Sequence, residues 1–277
     1  MSLLQYDFMR HALVAALVVG ITAPAVGVFL VQRRQALMGD GIGHIALTGV
    51  ALGFLLSTPP VLTAVVVAAA GAVLIEVVRE RGTASGDVAL ALFFYGGIAG
   101  GVLLIGLSSE GTNANLLSYL FGSITSVSRS DLGIIVALAF SVLLAIGITG
   151  RELFAVCHDE EFARVSGLPV RMLNYLLAVT AAVTITVAMR VVGLLLVSAL
   201  MVVPVAIAQI FTRGFQQTVA IALALGMTVA VAGVAISYYA DVAPGACIVV
   251  LAVGLFLVAS LAGNGVSAWG RRRRVPA

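Results

Sequence analysis

Residues 8–31 read FMRHALVAALVVGITAPAVGVFLV, and this stretch decides the solvent in which the chain folds. A helix needs about 20 mostly apolar residues to cross a hydrocarbon core about 30 Å thick. After Arg10 and His11 nothing charged interrupts the run. It is too long for the apolar region of a signal peptide and no small-residue cleavage site follows it, so it is expected to stay as the first span. Comparable apolar stretches recur at 42–56, 61–78, 88–107, 132–148, 173–189, 191–211, 219–236 and 247–261. These predict an all-α, polytopic membrane bundle of eight to nine spans, one membrane domain over residues 1–277. The second stretch runs from the glycines Gly39 and Gly43 to Pro59 and Pro60, and the seventh contains Pro204. Either is short or interrupted enough to be a half-helix lining a cavity.

Composition agrees. Only 10% of the 277 residues are charged and 61% are hydrophobic, with a mean hydropathy of +1.17, whereas a soluble domain carries about 25% charge. The net charge of +3 comes from arginine alone. Arg271, Arg272, Arg273 and Arg274 form a basic tail within 264–277, which reads as a cytoplasmic anchor after the last span and not as a nucleic-acid site. Loops on the cytoplasmic side collect arginine. With nine crossings, Arg33, Arg34, Arg79, Arg81, Arg151, Arg164, Arg171, Arg213 and the tail fall on one side, and Arg10, Arg129 and Arg190 on the other. This predicts an external N-terminus and a cytoplasmic C-terminus in a prokaryotic plasma membrane. Cys157 and Cys247 lie far apart in different surroundings, so no disulfide framework is expected.

Two places carry chemistry. In "GDGIGHIALTG", Asp40 and His44 stand four residues apart, which puts carboxylate and imidazole on one helical face. Ionisable groups inside a membrane segment generally face a pathway or the bundle interior, and this pair suits Zn²⁺ and is tolerable for Mn²⁺. The plainer reading makes Asp40 a helix cap and His44 an interhelical hydrogen-bonding group. A twofold dimer would supply four ligands from two copies of the pair, and cysteines at Gly43 or Leu47 would then crosslink between copies.

The second place is the inner loop 150–172, "GRELFAVCHDEEFARVSGLPVRM". Within it Asp159, Glu160, Glu161, Phe162, Ala163, Gly167 and Leu168 follow, with one change, the Glu-Ala-Ala, three residues, Gly pattern that membrane subunits press into a groove on a separate ATPase. Phe162, Val165 and Leu168 recur at helical spacing as an apolar docking face, with Glu160, Glu161 and Arg164 at its rim. The consecutive donors of "CHDEE" cannot all converge on one ion and read as solvated loop. Glu76 with Arg79, Glu80 and Arg81 reads as a helix end with local ion pairing, and Asp241 as a solvated outer-loop residue. There is no Gly-x-x-x-x-Gly-Lys-Ser/Thr loop, so nucleotide energy has to come from a partner and the chain is expected to be no enzyme itself.

The blocks "VGVFLVQRRQALMGDGIGHIALTGVALG", "NLLSYLFGSI", "DEEFARVSGLPV", "VVGLLLVSALMVVPVAIA" and "APGACIVV" together resemble the zinc/manganese-type ABC metal permeases, in order and over almost the whole chain. The resemblance departs at Ser123, where the family often has a polar or acidic residue, and at His158, where it has an aromatic or aliphatic one. It implies a homodimeric permease subunit of a metal importer with two cytoplasmic ATP-binding subunits and an extracytoplasmic solute-binding protein. It also implies that Asp40 and His44 bind the transported ion along the path. No permanently bound cofactor is expected, only transported Zn²⁺ or Mn²⁺, with zinc favoured on the imidazole. The competing readings are a permease for a metal chelate or cobalamin, against which two convergent ligands argue, and an ion-coupled secondary transporter, against which the docking loop argues.

Overall fold

A computed structural model describes residues 6–82, 86–107, 118–123 and 127–272. The elements among them are helical: α1 Asp7–Gln32, α2 Met38–Leu55, α3 Pro60–Glu80, α4 Gly86–Gly106, α5 Arg129–His158, α6 Glu160–Val165, α7 Val170–Ala188, α8 Leu194–Phe211, α9 Phe215–Ala240 and α10 Pro244–Arg272. A further helical turn occupies 118–121. Among the described residues, eight helices are long and apolar enough to cross a membrane. The ninth membrane-directed helix, α8, has a shorter apolar run, Leu196–Phe211. It still travels from the turn that packs on Gly122 to the loop before Phe215. The seventh stretch of the sequence is therefore an 18-residue helix with Pro204 inside it, and the second is an uninterrupted helix, α2.

Helices α1, α2 and α7 form the centre: 72%, 67% and 67% of their spans are buried, against 17% for α4 and α5. Helix α1 packs on α5, α7, α8 and α9, and α2 on α3, α4, α7 and α8. Leu92 on α4, Phe140 and Ile148 on α5 and Leu261 on α10 point outward, as side chains against lipid do. Lipid tails are as apolar as leucine, so helices associate through close packing at small residues. The α1–α9 contact shows how. A β-carbon on Gly20 would come within 2.7 Å of the Gly226 carbonyl, and one on Gly226 within 2.4 Å of the Gly20 carbonyl. The Gly20 carbonyl is the one that Pro24, lacking an N–H, leaves without its helical donor.

The two ends of the bundle differ in charge. At one, Arg33, Arg79 and Arg164 meet at Glu160, Arg79 also pairs with Glu76, and Arg171 pairs separately with Glu80. At the other, Arg190 pairs with Asp131 and lies over the Tyr119 ring, 5.0 Å from its centroid. There the turn at 118–123 locks onto 190–193 through Gly122 and Gly193, both at positive φ (76° and 87°) and with no room for a β-carbon. Burial pushes the Tyr119 phenol above its ordinary range. Both cysteines are free. Residues 115–117 and 124 of the "NLLSYLFGSI" block, and Arg273 and Arg274 of the basic tail, lie outside the described residues.

One boundary departs from expectation. Residues 150–158, read from sequence as the start of a loop, continue α5, which runs for 30 residues or about 45 Å. That exceeds a hydrocarbon core of about 30 Å, so its last turns stand beyond the span and carry α6 away from it.

Candidate functional site

Helix α2 begins without a side-chain cap: Leu37 is its N-cap and Asp40 sits in its first turn. There the free N–H groups and the helix dipole favour a negative charge. Met38, Gly39, Gly41, Ile42, Gly43, Ile45, Ala46 and Leu47 are buried, whereas Asp40, His44 and Thr48 are half-buried. These three recur every four residues and form one polar stripe down the helix. Leu37 before it and Leu55 after it are exposed.

Helix α4 flanks the stripe. Thr48 donates its hydroxyl to the Gly97 carbonyl at 2.7 Å. A β-carbon on Gly97 would lie 2.7 Å from the backbone of His44 and Ile45, so only glycine allows the approach. The His44 ring meets Phe94 edge-on, with centroids 4.5 Å apart. Its Nδ1 atom is buried with no hydrogen-bond partner. The Asp40 carboxylate stands one helical turn before it. Neither plainer reading of the pair describes this arrangement: Asp40 is not the N-cap, and His44 Nδ1 bonds to no neighbouring helix. A buried imidazole nitrogen without a partner, one turn from a carboxylate, is a donor set open to a cation. Among the described residues no three His, Cys, Asp or Glu side chains converge as a metal site. Gly43 and Leu47, expected beside the pair on its open face, are turned away: Gly43 packs toward Leu194 and Ile185, and Leu47 against Gly101. Around the helix Gly43 lies about 100° and Leu47 about 60° from His44, both on the side that the neighbouring helices cover.

At the arginine-rich end, Asp159 caps α6 by accepting from the Phe162 N–H at 2.9 Å. Gly167, at φ 84°, closes it, with Leu168 N–H donating to the Ala163 carbonyl at 3.1 Å. Phe162 and Val165 are 68% and 87% exposed, an unusual display for large apolar side chains at a charged end. Glu161 and Arg164 are exposed beside them. Ala163 is fully buried, and Leu168 packs on the core, so these two support the helix from below. The "CHDEE" donors disperse as their consecutive spacing requires. His158 stacks on Phe154, Cys157 faces the Phe29 carbonyl at 3.8 Å, and Glu160 turns inward to Arg33. Arg33 is the residue that sequence reasoning missed. Its partner lies 127 positions away, and nothing local signals the pairing.

A bundle of membrane-crossing helices, with a polar stripe on a central helix and an amphipathic helix at one charged end, defines a multi-pass membrane protein. The chain belongs to the ABC 3 transport family, whose model matches residues 5–263, and its resemblance to metal-type ABC permeases stands. It is 34% identical to the manganese transport system membrane protein MntC of Halalkalibacterium halodurans, over 93% of this chain and 88% of that one. It is 33% identical to the chelated iron transport system membrane protein YfeD of Yersinia pestis, over 98% and 90%. Among solved structures, PsaBC from Streptococcus pneumoniae in complex with Fab matches with a TM-score of 0.83 at 33% identity, covering 92% of this chain and 91% of that one.

Proposed function

We propose that this chain is the permease subunit of an ATP-driven importer of a divalent transition metal, with manganese the cargo favoured over zinc. The observation that carries the reading is the half-buried Asp40–His44 stripe with its unpartnered imidazole nitrogen. Manganese replaces the zinc preference drawn from the imidazole alone for two reasons: carboxylate and water suit Mn²⁺, and the MntC relative is named for manganese. A chelate would need a wide cavity and would leave no use for two convergent donors. The chain supplies two ligands, so a second copy of α2 facing the first across a twofold axis supplies the other two, and water completes an octahedral shell. The arginine-rich end is placed in the cytoplasm. There the exposed Phe162 and Val165 of α6 dock on one of two ATP-binding subunits, while a solute-binding protein delivers the ion at the opposite end.

The test is metal uptake by the reconstituted complex, with Mn²⁺ and Zn²⁺ in competition. Asp40→Ala and His44→Ala are expected to lower uptake at least about 100-fold, because both groups must replace hydration water along the path. Folding and assembly, read by gel filtration, should be preserved. Wild-type uptake in either variant would remove the site.

A further inference from the structure

Glu160, the first residue of α6, ties that helix to the bundle. Its carboxylate accepts from Arg33 at 3.1 Å and from Arg164 at 3.2 Å. The Arg33 side chain is only 7% exposed, stands at the C-terminal end of α1 and also donates to Asn174 Oδ1 on α7 at 2.7 Å. One buried guanidinium thus joins α1, α6 and α7. One turn earlier on α1, the Phe29 carbonyl lies 3.8 Å from the Cys157 thiol at the end of α5, so the same end of α1 is held on both sides of the α5–α6 corner. Arg79 is a weaker route: it stands 4.0 Å from Glu160 and is bound foremost to Glu76 on its own helix.

Only residues 33–37 separate this junction from α2, and Asp40 is in the first turn of α2. The link is short and internally bonded: Arg34 N–H to Val31 O at 3.0 Å, Gln35 N–H to Leu30 O at 2.8 Å and Met38 N–H to Gln35 O at 3.0 Å. Arg34 holds φ at 59°, the left-handed turn that ends α1 and that arginine seldom adopts. A connection with so little slack passes displacement of Arg33 to the start of α2.

We infer that the Glu160–Arg33 ion pair is the linkage through which movement of α6 reaches the Asp40–His44 stripe. Arg33 is a positioning residue in it, touching neither the ion nor the ATPase. The inference rests on the docking role given to α6 above. The import of metal and the hydrolysis of ATP are the two quantities it connects, so their ratio is the measurement.

The complete complex in proteoliposomes is compared as wild type, Arg33→Gln and Arg33→Lys. The expected result is that Arg33→Gln copurifies with the ATPase and hydrolyses ATP at the wild-type rate, while manganese imported per ATP falls about tenfold. Arg33→Lys, which returns a cation to Glu160, should recover most of the ratio. A role confined to holding the fold would lower assembled complex, hydrolysis and import together and leave the ratio unchanged, and that outcome overturns the inference. Should Arg33→Gln fail to accumulate, Glu160→Gln, which leaves Arg33 on Asn174, takes its place: a ratio about tenfold lower supports the linkage and an unchanged ratio overturns it. Phe162→Asp separates the underlying reading. If that complex stays assembled and coupled, α6 is not the docking helix. If it falls apart while Arg33→Gln keeps a normal ratio, the linkage alone is wrong.

Discussion

A β-carbon on Gly27 would lie 1.9 Å from the carbonyl oxygen of Met201, well inside van der Waals contact, whereas one on Gly96 would meet nothing within 4 Å. Two glycines that look alike in an apolar run therefore do opposite work: Gly27 sets the α1–α8 separation and Gly96 faces open space. Gly27→Leu is expected to destabilise by about 3 kcal/mol or more, while Gly96→Leu should stay within about 0.5 kcal/mol. Thermal unfolding in one detergent checks both. Equal melting temperatures for the two variants would mean that α8 yields to the added side chain. Nothing in the sequence distinguishes them, because the neighbour that decides the matter comes from another helix. Asp40 and His44 were legible for the converse reason: a charge and an imidazole in an apolar segment are costly wherever they sit, so their residue types alone mark them.

Helix α6 was legible as an element. Its cap, Asp159, and its terminating glycine, Gly167, are local signals that hold without tertiary help; of the three apolar residues expected to face outward, Phe162 and Val165 do, whereas Leu168 packs on the core. Phe162→Asp is expected to leave folding within about 0.5 kcal/mol of wild type, since the side chain is 68% exposed, an ordinary outcome for an exposed site. Docking would then bury an unpaired charge, so ATP hydrolysis should no longer drive import. A variant that copurifies with a fully coupled ATPase would place the contact elsewhere. The end of α5 was not legible. Gly150, Arg151 and Glu152 end the apolar run, and hydropathy marks where the membrane stops, not where the helix does. Leu153 and Val156, both buried, keep it helical to His158 by packing on the bundle.

For the whole molecule, the arc of α2 left open is the best guide to assembly. Helices α3, α4, α7 and α8 surround the rest of it, and along the opening run Leu37, Asp40, His44 and Leu55, with Thr48 bonded to α4 at its edge. Leu37 and Leu55 are about five helical turns apart and so share one angular position, bracketing the polar stripe. An open arc carrying a carboxylate and an imidazole is a poor surface to give to lipid, where each polar group would lose its partners. On the function proposed above, the same arc of a second copy would satisfy it and bring the ligand number to four. In a background with Cys157 and Cys247 replaced by serine, Leu37→Cys and Leu55→Cys are therefore expected to form disulfides between copies. Gly43→Cys, whose side chain would enter its own bundle beside Leu194 and Ile185, should not. The yield at Leu37, which adjoins the link from Arg33, should change on adding nucleotide when the ATPase is present, and that at Leu55, on the far side of the stripe, should change less. Crosslinking at Leu37 no stronger than at Gly43 would turn the stripe away from the twofold axis and leave each chain to bind the ion with its own two ligands and water.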